Sequence, residues 1–182
     1  THKNIMLPGL GVGGYCLTKD PLLASWSKQN LIGSNESLPM SENAVTTNDK
    51  MPLYAYKLFK SFINQENICR NIYLFGVSYA TDVGDTRYSP VEIFFNLLNN
   101  DCYVIHLNDP FVHFWEELSL DVSNHFENIN NSLDALIFTT GHSFYKNNEE
   151  MINLILGLEH LLIFDTIGIL SEPEILKLSQ KH

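Results

Sequence analysis

A glycine-rich stretch that leads into a cysteine and an aspartate is the part of the sequence best suited to chemistry. Residues 9–20 read Gly-Leu-Gly-Val-Gly-Gly-Tyr-Cys-Leu-Thr-Lys-Asp. Glycine permits positive φ and lets the main chain approach a ligand closely. If a helix begins near Leu17, Cys16 lies close to its N-terminus, where unpaired N–H groups and the helix dipole favour the thiolate. This spacing predicts a nucleophile at Cys16, with the carboxylate of Asp20 following on the same segment.

The same stretch also fits a turn beside a buried structural cysteine, because free cysteine is most often a small core residue. The complete string, however, resembles the active-site segment of the UDP-glucose/GDP-mannose dehydrogenase family, which reads roughly Gly-x-Gly-(Val/Phe)-Gly-Gly-x-Cys-x-x-(Lys/Val)-Asp. The resemblance implies that Cys16 is the catalytic cysteine and Asp20 the catalytic aspartate. It also implies that the loop around the sugar substrate contains Gly9, Gly11, Gly13 and Gly14.

The resemblance implies that the whole enzyme oxidises the C6 alcohol of a UDP-sugar to a uronic acid with NAD. This reaction supplies polysaccharide precursors. Cys16 adds to the aldehyde as a thiohemiacetal and then carries a thioester. Glycine N–H groups face the developing oxyanion, and Asp20 positions or deprotonates water together with a lysine. That lysine and the NAD-binding domain precede residue 1 in the family pattern, so we expect the C-terminal part of a longer enzyme, inactive alone.

Two helices are predicted before residue 66. The first begins with Asp20 as cap and Pro21 at the first helical position. The second covers residues 41–62, with Ser41 as cap and a kink at Pro52. A stripe at three- and four-residue intervals predicts its core-facing side: Ala44, Thr47, Met51, Tyr54, Ala55, Leu58 and Phe62.

The second helix carries a further signature, Asn-Asp-Lys-Met-Pro at residues 48–52. It resembles the Asn-Asp-x-Met-Pro segment that the family has on a long helix joining two domains. The resemblance implies a homodimer that packs through the helix at 41–62. The helical segment 1–66 is then the remnant of a central dimerisation domain that also carries the active-site loop.

Residues 67–182 alternate between strand and helix patterns, which predicts an α/β domain with a parallel sheet. Strands are predicted at 71–77, 102–107, 134–139 and 161–164, and helices at 90–98, 113–118, 149–158 and 172–179. Continuous apolar runs such as 71–77 are typical of strands covered on both faces. The pattern predicts a Rossmann-like, doubly wound fold, and the resemblance makes it the UDP-binding domain.

Three loops at predicted strand ends carry polar residues that resemble family segments. In the loop 76–90, the resemblance implies substrate contact by Tyr79 and a reach to NAD of a neighbouring domain by Arg87. From the residues alone, the expected role of Arg87 is instead an ion pair with Asp85 or Asp82 on the loop surface. The other two loops contain Asn-Asp-Pro at 108–110 and Thr-Thr-Gly-His-Ser-Phe at 139–144.

Three positions depart from the family pattern, which has a lysine where this chain has Ala80 and arginines where it has Ile167 and Val45. Pyrophosphate recognition usually relies on such cations, so their loss predicts weaker binding of the nucleotide sugar or a different substrate. A stand-alone or degenerate nucleotide-binding and dimerisation module therefore stays as an alternative. A thiol-dependent hydrolase, the third class considered, needs a histidine base near Cys16, and the sequence places none of His2, His106 or His142 there.

Composition excludes several other classes. With 182 residues and 45% hydrophobic content, the chain can bury one good core and a smaller second unit. Its net charge of −10 argues against nucleic acid or an anionic membrane as partner, and no apolar run reaches the length of a membrane span. The separated Cys16, Cys69 and Cys102 form no disulfide or zinc pattern, so no metal is predicted and a cytoplasmic location is expected.

Overall fold

The computed structural model describes residues 9–63 and 71–181; the domain boundary predicted at 66–67, Cys69 and His2 lie outside this range. The chain begins with two packed helices, α1 (Tyr15–Asn30) and α2 (Pro39–Phe62). The later elements are β1 (Asn71–Phe75), α3 (Pro90–Asn100), β2 (Val104–Asn108), β3 (Phe114–Trp115), β4 (Leu120–Asp121), β5 (Ala135–Phe138), a 3-10 turn (Ser143–Tyr145), α4 (Glu149–Leu156), β6 (Leu162–Asp165) and α5 (Glu172–Ser179). No helix within the described ranges is long and apolar enough to cross a membrane.

Four parallel strands form the main sheet in the order β2-β1-β5-β6. Leu74 of β1 lies opposite Leu107 of β2 on one side and Ile137 of β5 on the other. After β1 the chain adds β2 on one side of it, and it later adds β5 and β6 on the other side. This change of direction leaves a crevice at the carboxyl ends of β1 and β5. The predicted α/β class with a Rossmann-like parallel sheet is confirmed.

Both faces of the sheet are covered by helices. One face packs against α2 and α3 through a buried cluster that includes Phe59, Ile72 and Leu98. The other face packs against α4 and α5 through a cluster that includes Phe75 and Ile155. This double cover explains why the strand sequences are continuously apolar rather than alternating.

The short helix predicted at 113–118 is wrong, because β3 and β4 form an antiparallel hairpin there. Trp115 is fully buried and packs edge-on against Phe95, whereas its neighbour Phe114 is exposed. This alternation has the period of a strand. Ser119 adopts a positive φ of 54° just before β4, which a continuing helix does not allow.

Helix α1 begins at Tyr15, earlier than predicted, and Pro21 lies inside it rather than at its first position. Gly14 is the N-terminal boundary residue, and its φ of 78° ends the loop. Asp20 is therefore not a cap. The earlier start places Cys16 within the first turn of the helix, so the predicted position near a helix N-terminus is confirmed.

The buried side of α2 is shifted by one sequence position from the predicted stripe. Val45 and Phe59 are buried, whereas Tyr54, Leu58 and Phe62 are 65, 40 and 57% exposed. Of the remaining stripe residues, Ala44 and Thr47 are exposed and Met51 and Ala55 are half-buried. The prediction that this stripe packs in the core is therefore wrong for most of its members, and an apolar side of α2 faces outward. The helix also begins at Pro39, not after Ser41, because proline is favoured in the first helical turn.

A polar cluster fastens α2 to the sheet domain. The Nζ atom of Lys60 lies 2.8 Å from a carboxylate oxygen of Asp101 and 3.0 Å from the hydroxyl of Tyr103. Tyr56 donates a hydrogen bond to the same carboxylate. Burial and this bond raise the pKa of Tyr56 to about 12, and the bond from Lys60 lowers the pKa of Asp101. The cluster fixes the long helix relative to the sheet.

Candidate functional site

The glycine loop, residues 9–14, packs directly against the loop that follows β1. A Cβ atom added at Gly13 would lie 2.6 Å from the Cβ of Tyr79 and 2.6 Å from the carbonyl oxygen of Tyr88. At Gly14, whose φ is 78°, an added Cβ would lie 2.9 Å from the ring of Tyr79. Only glycine fits these two positions. The structure thus brings Tyr79 and the glycine loop together, while their contact with a sugar stays a prediction.

The side chain of Asn48 holds the glycine loop from the opposite side. Its Oδ1 accepts a hydrogen bond of 2.7 Å from the N–H of Val12, and its Nδ2 donates one of 2.8 Å to the Val12 carbonyl. Sequence reasoning identified the signature containing Asn48 but missed this contact. The signal available was an asparagine, which carries both a donor and an acceptor, at a fixed place on the long helix.

Cys16 is exposed at the start of α1, which argues against a buried structural cysteine. Asp20 lies four residues later on the same helix and is therefore on the same side. Its carboxylate is exposed and lies 3.7 Å from the Nζ atom of Lys19. No described residue accepts a hydrogen bond from the N–H of Gly13 or Gly14. Two free donors and an exposed thiol at a helix start can serve covalent catalysis.

Arg87 lies beside this helix start. Its Nε and Nη2 atoms lie 2.9 and 2.6 Å from the two carboxylate oxygens of Asp85, and the guanidinium lies 5.1 Å from the ring centre of Tyr15. The hydrogen bond from Arg87 lowers the pKa of Asp85. The surface pair with Asp85, one of the two possibilities derived from the residues, is thus present. Contact of Arg87 with NAD stays a prediction.

Asp109 is a fully buried carboxylate at the end of β2. It accepts hydrogen bonds from the backbone N–H groups of Val77, Ser78 and Phe111, at 2.8, 3.1 and 2.9 Å. The Nε2 atom of His142, also fully buried, lies 3.0 Å away. Burial alone would raise the pKa of Asp109, but the bonds from His142 and the backbone outweigh it and hold this pKa below its usual range.

Both ring nitrogens of His142 are occupied within this cluster. Nδ1 accepts a hydrogen bond of 2.9 Å from the N–H of Asp82, so the ring proton belongs on Nε2, where it faces Asp109. Ser78 Oγ lies 3.0 Å from the same Nε2. In a catalytic triad the serine and the aspartate use opposite ring nitrogens. The arrangement supports neither a serine triad nor a base for Cys16, and it does not favour the hydrolase alternative.

The Asp109–His142 cluster instead holds the loop that follows β1. It anchors this loop at Val77, Ser78 and Asp82, and the carboxylate of Asp82 accepts a further bond of 2.7 Å from the N–H of Ser143. Tyr79 lies between the anchored residues. The cluster therefore fixes the surface on which Gly13 and Gly14 pack.

Two of the three positions that depart from the family pattern have apolar packing roles here. Ile167 lies against the glycine loop, with its Cγ2 atom 3.0 Å from the position of a Cβ on Gly9. Val45 is buried on α2. The third, Ala80, is half-buried, and its carbonyl accepts a hydrogen bond from Ser78 Oγ. No cation stands at any of these three places.

A parallel sheet covered by helices on both faces, with a glycine loop and an exposed cysteine packed at its strand ends, defines a doubly wound α/β protein. The chain belongs to the UDP-glucose/GDP-mannose dehydrogenase family, because the family model for the UDP-binding domain matches residues 73–172. The chain is 34% identical over 148 residues to the UDP-N-acetyl-D-mannosamine dehydrogenase of Methanococcus aeolicus, covering 81% of this chain and 31% of that protein. It is 29% identical over 181 residues to the enzyme of that name from Pyrococcus horikoshii, covering 96% of this chain and 40% of that protein.

Solved structures agree with this assignment. The structure of UDP-D-ManNAc dehydrogenase from Pyrococcus horikoshii superposes with a TM-score of 0.74 at 27% identity, covering 94% of this chain and 39% of that one. NDP-N-acetyl-D-galactosaminuronic acid dehydrogenase from Methanosarcina mazei superposes with a TM-score of 0.80 over 96% of this chain and 38% of that one; at 24% identity it supports the fold alone. This chain thus spans well under half the length of these relatives.

Proposed function

We propose that this chain acts as the C-terminal part of an NAD-dependent UDP-sugar 6-dehydrogenase with Cys16 as nucleophile. The exposed thiol of Cys16, at a helix start held by a glycine loop that packs on the UDP-binding domain, carries this proposal. The names of the relatives support a UDP-sugar as substrate. Residues 1–66 form the central helical segment with the active-site loop, and residues 67–182 form the UDP-binding domain.

Each proposed site residue of this chain has a separate role in the reaction. The Cys16 thiolate adds to the C6 aldehyde as a thiohemiacetal, and at the next oxidation level Cys16 carries the acyl group as a thioester. The N–H groups of Gly13 and Gly14, for which no described residue is an acceptor, stabilise the oxyanion that forms at that carbon. Asp20, on the same side of α1, positions the water that releases the uronic acid. Gly9, Gly11 and Tyr79 complete the proposed substrate contacts.

The two oxidations, from alcohol to aldehyde and from thiohemiacetal to thioester, each release one hydride, and NAD, when bound, would supply the acceptor for it. Arg87 fits an anionic group of this cofactor, because Asp85 takes up its Nε and Nη2 atoms and no described residue accepts a bond from Nη1. The Arg87 side chain is 59% exposed and so remains accessible to a second molecule. The free thiols of Cys16 and Cys102 suit a reducing compartment, and we place the enzyme in the cytoplasm.

The outward apolar side of α2 is the proposed homodimer contact. Tyr54, Leu58 and Phe62 recur along one side of this helix and are exposed in the single chain. Exposed apolar residues in such a row commonly mark an interface. We expect the chain to sediment as a dimer at micromolar concentration and Leu58→Asp to sediment as a monomer. The control is Thr46→Glu, because Thr46 is exposed near the other end of α2. Equal sedimentation of Leu58→Asp and the unchanged chain contradicts the proposal.

Selective alkylation tests the proposed nucleophile. In the folded chain at neutral pH, we expect iodoacetamide to modify Cys16 about tenfold faster than Cys102, because only Cys16 lies at a helix N-terminus. Peptide mass mapping after short exposures measures both rates within the same molecule. UDP added at millimolar concentration is expected to slow the reaction at Cys16 alone. Equal rates at the two exposed thiols would contradict the catalytic role.

A further inference from the structure

The structure assigns to Asn48 the role of a positioning residue for Cys16, acting through the main chain of Val12. This inference rests on the proposed function of Cys16 as nucleophile. Asn48 lies on α2, far in sequence from the loop that it holds, and both of its polar side-chain atoms are used on one residue. It satisfies the N–H and the C=O of Val12 together, as a neighbouring strand would.

Leu10 anchors the start of the glycine loop in the core, but the part from Gly11 to Gly14 needs a further contact because its own residues provide little restraint. Each glycine loses more conformational entropy on ordering than any other residue. Val12 stands between Gly11, with a φ of 145°, and Gly13, and its side chain is 48% exposed. Side-chain packing therefore does little to fix Val12. The two hydrogen bonds to Asn48 fix its backbone instead.

The position of Val12 determines how α1 begins. Gly13 and Gly14 follow Val12 and press against Tyr79, so the loop is held between Asn48 on one side and Tyr79 on the other. Gly14 is the boundary residue of α1, and Cys16 lies in the first turn after it. If the contact with Asn48 is lost, the loop is held on one side only. The first turn then frays, and the thiol loses its fixed position at the helix start.

The amide group is the feature that matters at this position. Alanine offers Val12 no partner. A carboxylate accepts from the Val12 N–H but repels the Val12 carbonyl, whereas a protonated carboxyl group again has one donor and one acceptor. Asn48→Asp is therefore expected to lose the hold on Val12 at neutral pH and to regain it near pH 3, where aspartate is largely protonated.

Hydrogen exchange of the Val12 amide and alkylation of Cys16 together test the inference. In Asn48→Ala we expect the Val12 amide to exchange about tenfold faster and alkylation at Cys16, relative to Cys102, to fall by a similar factor. Asn48→Asp should match Asn48→Ala at pH 7 and approach the unchanged chain in Val12 exchange when all three are compared near pH 3. Asn43→Ala is the matched control, because Asn43 is exposed on the same helix and its side chain makes no described hydrogen bond.

The two readouts separate the two ideas. Unchanged exchange at Val12 in Asn48→Ala, or an unchanged ratio of Cys16 to Cys102 alkylation in this variant, overturns the role of Asn48. A uniform rise in exchange across the chain, with both thiols affected equally, also overturns it, because that result shows only general destabilisation. By contrast, equal alkylation of Cys16 and Cys102 in the unchanged chain removes the proposed function, while exchange at Val12 still reports whether Asn48 holds the loop.

Discussion

Replacing Asp109 with asparagine is expected to lower the free energy of unfolding at pH 7 by about 3–5 kcal/mol. Four donors point at this buried carboxylate: His142 Nε2 and the backbone N–H groups of Val77, Ser78 and Phe111. An asparagine keeps one oxygen and replaces the other with an NH₂ group, which sets donor against donor. Val77, Ser78 and His142 all meet one carboxylate oxygen, so an amide that keeps its oxygen there leaves the Phe111 N–H without an acceptor, and the three remaining bonds lose the charge that strengthens them. Urea unfolding followed by circular dichroism measures the loss.

The effect of this substitution depends on pH in a defined direction. The pKa of Asp109 is lower in the folded chain than in the unfolded one. Its contribution to stability is therefore complete above the pKa of an unfolded aspartate, about 4, and is lost as the pH falls through the lower folded value. The difference between the unchanged chain and Asp109→Asn should be constant from neutral pH to about pH 5 and shrink in more acidic solution.

Asp121→Asn provides the matched control, because Asp121 is exposed on β4 and its side chain makes no described hydrogen bond. It should change stability by less than about 0.5 kcal/mol. If Asp109→Asn costs no more than this control, the cluster does not anchor the loop after β1. The anchoring matters for function because Tyr79, which supports the glycine loop, lies within that loop.

The sheet and its caps could be predicted because their signals are local. The apolar run of β1 reflects cover on both faces, and Ser89 before Pro90 caps α3 by accepting a hydrogen bond from the N–H of Val91, as the sequence indicates. Ser171 likewise caps α5, where it forms a reciprocal pair with Glu174. Each of these features depends on residues a few positions apart, so a single sequence contains the information.

The errors arose where the determining contact is distant. On α2, apolar residues lie on two adjacent stripes, and only the fold decides that Val45 and Phe59 face inward while Tyr54 and Leu58 do not. The β3–β4 hairpin forms because Trp115 is buried against α3. A strand of two residues is too short for its sequence pattern to predict this contact. The bonds of Asn48 and Asp109 join segments more than thirty residues apart in sequence. The motifs marked these residues, but topology alone defines their partners.

Gly76→Ala is expected to cost about 2–5 kcal/mol of folding free energy, the other large effect in this chain. Gly76 follows β1 with a φ of 96°, and an added Cβ would lie 2.4 Å from the Cβ and 2.8 Å from the backbone nitrogen of Thr140. Left-handed backbone accounts for about 1–2 kcal/mol, and the clash adds about 1–3 kcal/mol. The clash falls on the main chain of the loop after β5, so no rotation of a side chain relieves it.

Gly168→Ala separates the two contributions, because Gly168 also has a positive φ, 67°, but nothing lies within 4 Å of its added Cβ. It should lose only the backbone part, about 1–2 kcal/mol, in the same urea titration. Equal losses for the two variants would show that β1 and β5 separate without cost at Gly76. We expect a larger loss for Gly76→Ala, accompanied by faster hydrogen exchange at Ser78 and Tyr79. This result would show that the close approach of the two strand ends supports the surface that holds the glycine loop, and with it Cys16.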